Sequence, residues 1–228
     1  MEDTIKYIES NESKFLDELK DFLKIPSIST NPENKEDVKK AAEFVRDKMT
    51  DAGLENVEIF PTKGHPVVYG DWLHAGDDAM TVLVYGHYDV QPVDPLDLWT
   101  NPPFEPTIKG DKIYARGATD DKGQFFIHIK SIESILNTLG KLPVNVKVIS
   151  EGEEEIGSEH LDGFINDNLD KLKCDYVIVS DTSMHSMEHP SICYGLRGLC
   201  YMEINLTGPN RDLHSGSFGG AVDNPINA

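Results

Sequence analysis

The chain has 228 residues, enough for one sizeable core and part of a second domain. Against 40 acidic residues stand 21 basic ones, a net charge of −19, which argues against nucleic acid or an anionic membrane surface as a partner. Cys174, Cys193 and Cys200 are an odd count without close pairing and read as thiols of a reducing compartment rather than a disulfide frame.

The first residues are acidic and helical in pattern, unlike the basic start and apolar run of a secretory signal. No apolar stretch approaches the ~20 residues that span a bilayer, so a cytoplasmic protein is expected. A helix is predicted over 4–23 from the spacing of Ile5, Ile8, Phe15, Leu19, Phe22 and Leu23. Pro26 closes it, because the residue before a proline avoids the α region. A second amphipathic helix is predicted over 35–52, with Val38, Ala41, Ala42, Val45 and Met49 inward and Gly53 as its stop. Strand-like runs follow at 57–60 and 67–70.

Residues 82–89, Val-Leu-Val-Tyr-Gly-His-Tyr-Asp, read as a buried strand ending in polar side chains. In extended chain His87 and Asp89 project to the same side. The imidazole then suits a metal ion, and the carboxylate can hold its other ring nitrogen. A proline-dense segment over 91–104 cannot be a helix interior or a central strand and is expected to be a long ordered loop. A short strand at 112–115, a helix over 124–139 ended by Gly140, a strand at 144–150, a helical stretch over 159–172 and a strand at 176–180 complete the alternation. That alternation predicts an α/β fold, with helices on both faces of a mostly parallel sheet.

In such sheets the ligand crevice lies at the carboxyl ends of the strands. His87 and Asp89 end one strand, Asp120 follows a second, Glu154 and Glu155 follow a third, and Asp181 follows a fourth. Each has an ordinary reading: Asp120 as a helix N-cap, the glutamates as a solvated acidic loop, Asp181 as a turn residue. Together, one imidazole and several carboxylates at four strand ends suit zinc, manganese or cobalt. A carboxylate can bridge two ions, and a spare glutamate beside a ligand glutamate is the expected general base.

These motifs resemble those of the aminoacylase-like co-catalytic metallopeptidases, metallopeptidase family twenty. The resemblance covers most of the chain and rests on Gly-His-Tyr-Asp (86–89), Ala-Arg-Gly-Ala-Thr-Asp-Asp-Lys-Gly (115–123), Glu-Glu-Ile-Gly-Ser (154–158), Ser-Asp (180–181) and Asp-Leu-His-Ser-Gly (212–216). It implies a three-layer α/β sandwich and the start of an α+β lid, with residues 1–194 the amino-terminal part of the catalytic domain and 195–228 the beginning of the lid. It implies two divalent ions, zinc before manganese or cobalt. His87 and Asp181 hold one, Glu155 the other, and Asp120 bridges them through a cis peptide to Asp121. Asp89 orients His87, and Glu154 is the general base. His214 polarises the substrate carbonyl in a neighbouring subunit, so a homodimer is implied for the full-length protein; on its own, His214 reads as a loop residue. Arg197 falls in a family-like stretch without an assigned role, and a strand is expected at 201–207.

The family's second ion also takes a His from later in a longer chain. This chain is therefore expected to be an amino-terminal part with one site short of a ligand, an exposed apolar sheet edge and little or no activity alone. Gln91-Pro92-Val93-Asp94-Pro95 and Trp99 most resemble the dipeptidase and carnosinase branch. The implied activity is hydrolysis of dipeptides or short peptides by a metal-bridging hydroxide. An N-acyl-amino-acid deacylase is the alternative, and a catalytically incomplete metal-binding module is the alternative for this chain alone.

Overall fold

The computed structural model describes residues 1–186 and 188–227, so Ala228, the last residue of the expected lid segment, lies outside the described residues. The chain forms two compact units, Met1–Ser183 and Met184–Ala228.

The first unit is built on a five-stranded sheet of order β1-β2-β6-β3-β7, comprising β1 (Glu55–Phe60), β2 (Val67–Trp72), β3 (Thr81–His87), β6 (Asn145–Glu151) and β7 (Tyr176–Val179). The pairs β3/β6 and β3/β7 are parallel, while β1/β2 and β2/β6 are antiparallel, so the sheet is mixed. β1 and β2 follow each other over a short connection, which permits only an antiparallel neighbour; the parallel pairs carry helical crossovers. A separate two-stranded ribbon pairs β4 (Thr107–Lys109) with β5 (Lys112–Tyr114).

Alternation along the strands sends side chains to both faces of the sheet. On one face Val68, Trp72, Val84, Val146 and Val148 pack under α1 (Glu2–Leu23), α2 (Lys35–Asp51) and α3 (Lys122–Leu139), meeting Phe22, Val45, Met49, Phe125 and Ile129. On the other face Val67, Tyr69, Leu83 and Ile149 pack against Phe164 of α4 (Leu161–Asp167) and Leu172 of α5 (Leu169–Leu172). The result is the expected three-layer arrangement, with β2 and β6 buried along their whole length.

The five inward residues expected for α2 are all buried. In α1 Phe22 and Leu23 are buried, whereas Ile5 and Ile8 stay substantially exposed, so the apolar anchor to the core lies at the carboxyl end of this helix. Gly140 ends α3 in the left-handed region, at φ 69°, where a Cβ is unfavourable. The single helix expected over 159–172 is broken at Asn168, whose side-chain amide donates to the Phe164 carbonyl at 2.8 Å and competes with helix continuation.

β7 is an edge strand with all four residues exposed, and Val177 and Val179 share an open apolar face with Leu83, Tyr85 and Ile165. This is the uncovered apolar edge that the sequence led us to expect. The strand expected at 201–207 does not form. Among the described residues the second unit holds no strand to pair with it, and a strand without a ladder leaves its backbone groups to water. No helix among the described residues is long and apolar enough to cross a membrane.

Candidate metal centre

The parallel ladders set the site. β3 and β6 are in register to their ends, with Gly86 opposite Ser150 and His87 opposite Glu151. β3 and β7 pair as far as Tyr85 opposite Val179, so two further residues on each strand bring His87 level with Asp181. The tip of β3 is held from below: Ser27 Oγ donates to the Tyr88 carbonyl at 2.6 Å, and Val90 N–H donates to the Ser27 carbonyl at 3.0 Å. Asp120 arrives from the loop before α3, through a cis Asp120–Asp121 peptide bond. Asp120 is not the helix cap, since that position belongs to Asp121.

His87, Asp120 and Asp181 each offer a ligand atom within 4.8 Å of the others. His87 Nε2 lies 3.1 Å from Asp120 Oδ1, 3.6 Å from Asp181 Oδ2 and 3.9 Å from Glu154 Oε2. Its other nitrogen, Nδ1, faces the Asp89 carbonyl at 3.1 Å and the Asp89 carboxylate at 3.3 Å. Both His87 and Asp89 are fully buried. A proton on Nδ1 satisfies Asp89 and leaves the Nε2 lone pair aimed at the two carboxylates. Asp89 is itself held by the backbone N–H groups of Glu154 and Glu155, which donate at 3.3 and 3.2 Å. The buried carboxylate thus ties the end of β3 to the acidic turn after β6.

Glu155 lies outside this three-residue cluster. Its side chain accepts from Gln91 Nε2 at 2.7 Å. His214, in the second unit, is exposed and accepts from Gly216 N–H at 3.0 Å, capping the short helix α6 (Ser215–Phe218).

Several contributors were not read from the sequence. Asp121 is buried; its Oδ2 accepts from His87 N–H at 3.1 Å, its Oδ1 has no partner among the described residues, and burial raises its pKa to about 7. Lys122 is fully buried, donating to the Phe22 and Ile25 carbonyls at 3.1 and 2.7 Å, and burial lowers its pKa to about 7. It pins the start of α3 to the end of α1. In the sequence Asp121 and Lys122 appear only as part of the 115–123 motif, where charged side chains read as solvated as readily as buried.

Charge is concentrated here. Burial pushes the carboxyls of Glu154 and Asp181 above their ordinary range, and neighbouring carboxylates add to it, with His87 opposing. Burial pulls the His87 imidazole down, but the hydrogen bond to Asp89 and the fields of Asp89, Asp121 and Glu154 win, raising it to about 10. An imidazole nitrogen converging with two carboxylate oxygens, with the ring oriented by a buried carboxylate, is a donor set that fits a divalent cation.

The family model of peptidase family M20/M25/M40 matches residues 83–211. The chain belongs to this family. Over 234 residues this M20 chain is 37% identical to the Cys-Gly metallodipeptidase dug1 of Schizosaccharomyces pombe, covering 96% of this chain and 48% of that protein. It is 42% identical to the crystal structure of the M20 family metallo-carboxypeptidase Sso-CP2 from Sulfolobus solfataricus, with a TM-score of 0.68, over 75% of this chain and 38% of that one. Against the crystal structure of human carnosine dipeptidase 1 the TM-score is 0.75 at 27% identity, over 99% of this chain and 50% of that one. The M20 chain spans about half the length of the curated relatives it matches. Membership of a metallopeptidase family implies divalent-metal binding and agrees with the donor set of this candidate site.

The metal-free charge state has a measurable consequence. A cation at Nε2 needs the neutral ring, whereas His87 with a pKa near 10 carries an extra proton at neutral pH. Metal binding therefore displaces this proton, and affinity rises as pH rises towards 10. Calorimetric titration of zinc at pH 7 in two buffers of different ionisation enthalpy is expected to show net proton release on binding. Identical heats in both buffers would contradict this.

Proposed function

We propose that the full-length protein of this M20 chain hydrolyses dipeptides or short peptides, using divalent metal held by His87, Asp120 and Asp181, with Glu155 serving a second ion. The observation that carries the reading is the approach of Glu154 Oε2 to within 3.9 Å of His87 Nε2, beside the three-residue donor cluster. The names of its relatives, a Cys-Gly dipeptidase and β-Ala-His dipeptidases, support small dipeptides as substrates. Zinc is the proposed ion, because imidazole with carboxylate oxygen suits it, and two ions per site is the proposed number.

When bound, the metal supplies Lewis acidity and lowers the pKa of water at the site towards ~7. Glu154 does the proton work. It takes a proton from the attacking water and delivers it to the leaving amine. Its raised pKa suits both steps, since a base poised nearer neutrality both accepts and returns a proton. Asp89 keeps His87 in the tautomer whose Nε2 is free for the ion. His214 is proposed to polarise the substrate carbonyl of a neighbouring subunit, supported by the Asp-Leu-His-Ser-Gly motif around it and by its exposure. In this reading residues 1–194 belong to the catalytic domain, 195–228 begin the lid, the full-length protein is a homodimer, and it works in the cytoplasm.

The test is a panel of substrates assayed with the zinc-loaded full-length protein. Cys-Gly and β-Ala-His are expected to be cleaved faster than N-acetylated and N-succinylated amino acids. Preference for the acylated amino acids would replace the dipeptidase reading with a deacylase one.

A further inference from the structure

We propose that His128 is a positioning residue for the metal centre: from α3 it holds Ser180, and through Ser180 it sets the orientation of Asp181. The proposal rests on the reading of Asp181 as a metal ligand.

Asp181 is the least supported member of the cluster. His87 ends a strand paired on both sides, by β6 and by β7. Asp120 sits in the loop that α3 and the buried Lys122 hold against α1. Asp181, by contrast, follows an exposed edge strand paired on one side only, and its last ladder pair is Tyr85 with Val179. Ser180 and Asp181 extend beyond that pair. The end of an edge strand is where fraying begins.

The contact that meets this weakness comes from α3. His128 Nε2 lies 2.6 Å from Ser180 Oγ. His128 is partly buried, and its neighbour Ile129 and the preceding Phe125 are fully buried, so the ring stands on a helix that is locked into the core. Seven residues separate His128 from Asp121 at the head of the same helix, two turns or ~10 Å. One rigid element therefore presents Asp120 at its start and grips the strand end bearing Asp181 further along. The two carboxylates of the cluster are referenced to the same helix, which fixes their spacing for an incoming ion.

Residues that hold ligands in place typically contribute about 10–100-fold to metal affinity. His128 acts one residue removed from the ligand, so the low end of that range is expected. Zinc affinity of the 228-residue chain is measured by competition with a chromophoric chelator, at a temperature where circular dichroism shows every variant folded. H128L and S180A are each expected to bind zinc about tenfold more weakly. The double variant is expected to be no weaker than either single one, because both remove the same bond. H128Q, whose amide reaches the position of Nε2, is expected to restore most of the loss. A merely structural role predicts a lower melting temperature of the metal-free protein with unchanged zinc affinity. Wild-type affinity in S180A, or losses that add in the double variant, would overturn the positioning role. Absence of zinc binding by the wild-type chain would instead overturn the metal-site reading, and this proposal with it.

Discussion

Replacing Glu154 by Gln in the full-length protein is expected to lower dipeptide turnover by about 10²–10⁴-fold while the metal stays bound, the range for loss of the general base proposed above. The amide keeps the shape of the side chain but cannot accept the proton of the attacking water. Glu154 is not among the three residues whose ligand atoms converge, so its loss leaves the imidazole and both carboxylates in place. Glu154→Gln also removes one carboxylate from a crowded negative site. The three converging donors His87, Asp120 and Asp181 are untouched, so the variant is expected to keep its ion. Steady-state kinetics on a dipeptide, together with metal content by mass spectrometry, check both parts. Turnover within a few-fold of wild type would remove Glu154 from its role.

Gly123→Ala should damage both fold and site. A Cβ at Gly123 would lie 2.0 Å from the Ala118 carbonyl oxygen, a backbone atom that no side-chain rotation can move away. The Gly123 N–H also donates to the Gly117 carbonyl at 3.2 Å, so the helix start and the 117–121 loop are in direct contact. Relief requires shifting the loop that carries Asp120. The expected cost is about 3 kcal/mol, at the upper end for an overpacked buried position. In a domain of this size that lowers the melting temperature by on the order of 10 °C. Because the displaced loop bears the proposed ligand Asp120, zinc affinity should fall by about 10–100-fold even where the protein remains folded. Thermal melts and chelator competition read the two effects separately. A melting temperature within 2 °C of wild type, a drop of about 0.5–1 kcal/mol, would show that the loop yields without resistance.

The site residues were legible because strand ends are legible. An apolar β-branched run that stops at His87, and another that stops before Asp181, announce where a sheet presents polar groups. The Asp-Asp-Lys-Gly and Glu-Glu-Ile-Gly-Ser segments fall just past other element boundaries. What escaped were the residues whose roles depend on burial. Asp121 and Lys122 are charged side chains in a polar-looking tetrapeptide, yet both are buried, one under His87 and the other against the carbonyls that end α1. His128 shares a helix with apolar neighbours and gives no sign that Ser180 lies opposite it. The expected strand at 201–207 failed for a related reason. Its pattern is sound, but a strand exists only with a partner, and local sequence does not supply one.

The amino-acid sequence by itself determined the inventory of the site: one imidazole and its orienting carboxylate two residues apart, and carboxylates at three further strand or helix boundaries. These follow from periods of two and 3.6 residues and from where apolar runs end, all of which are local. Only the tertiary structure decided which of them meet. His87 and Asp120 are 33 residues apart in the chain and 3.1 Å apart in space, and Asp181 joins them because β7 pairs with β3 in a register that brings the two strand ends level. The physical reason is that register and side-by-side order are set by packing of the whole sheet against α1, α2 and α3 on one face and α4 and α5 on the other. That same packing, and not the local pattern, left Glu155 on Gln91 and outside the cluster.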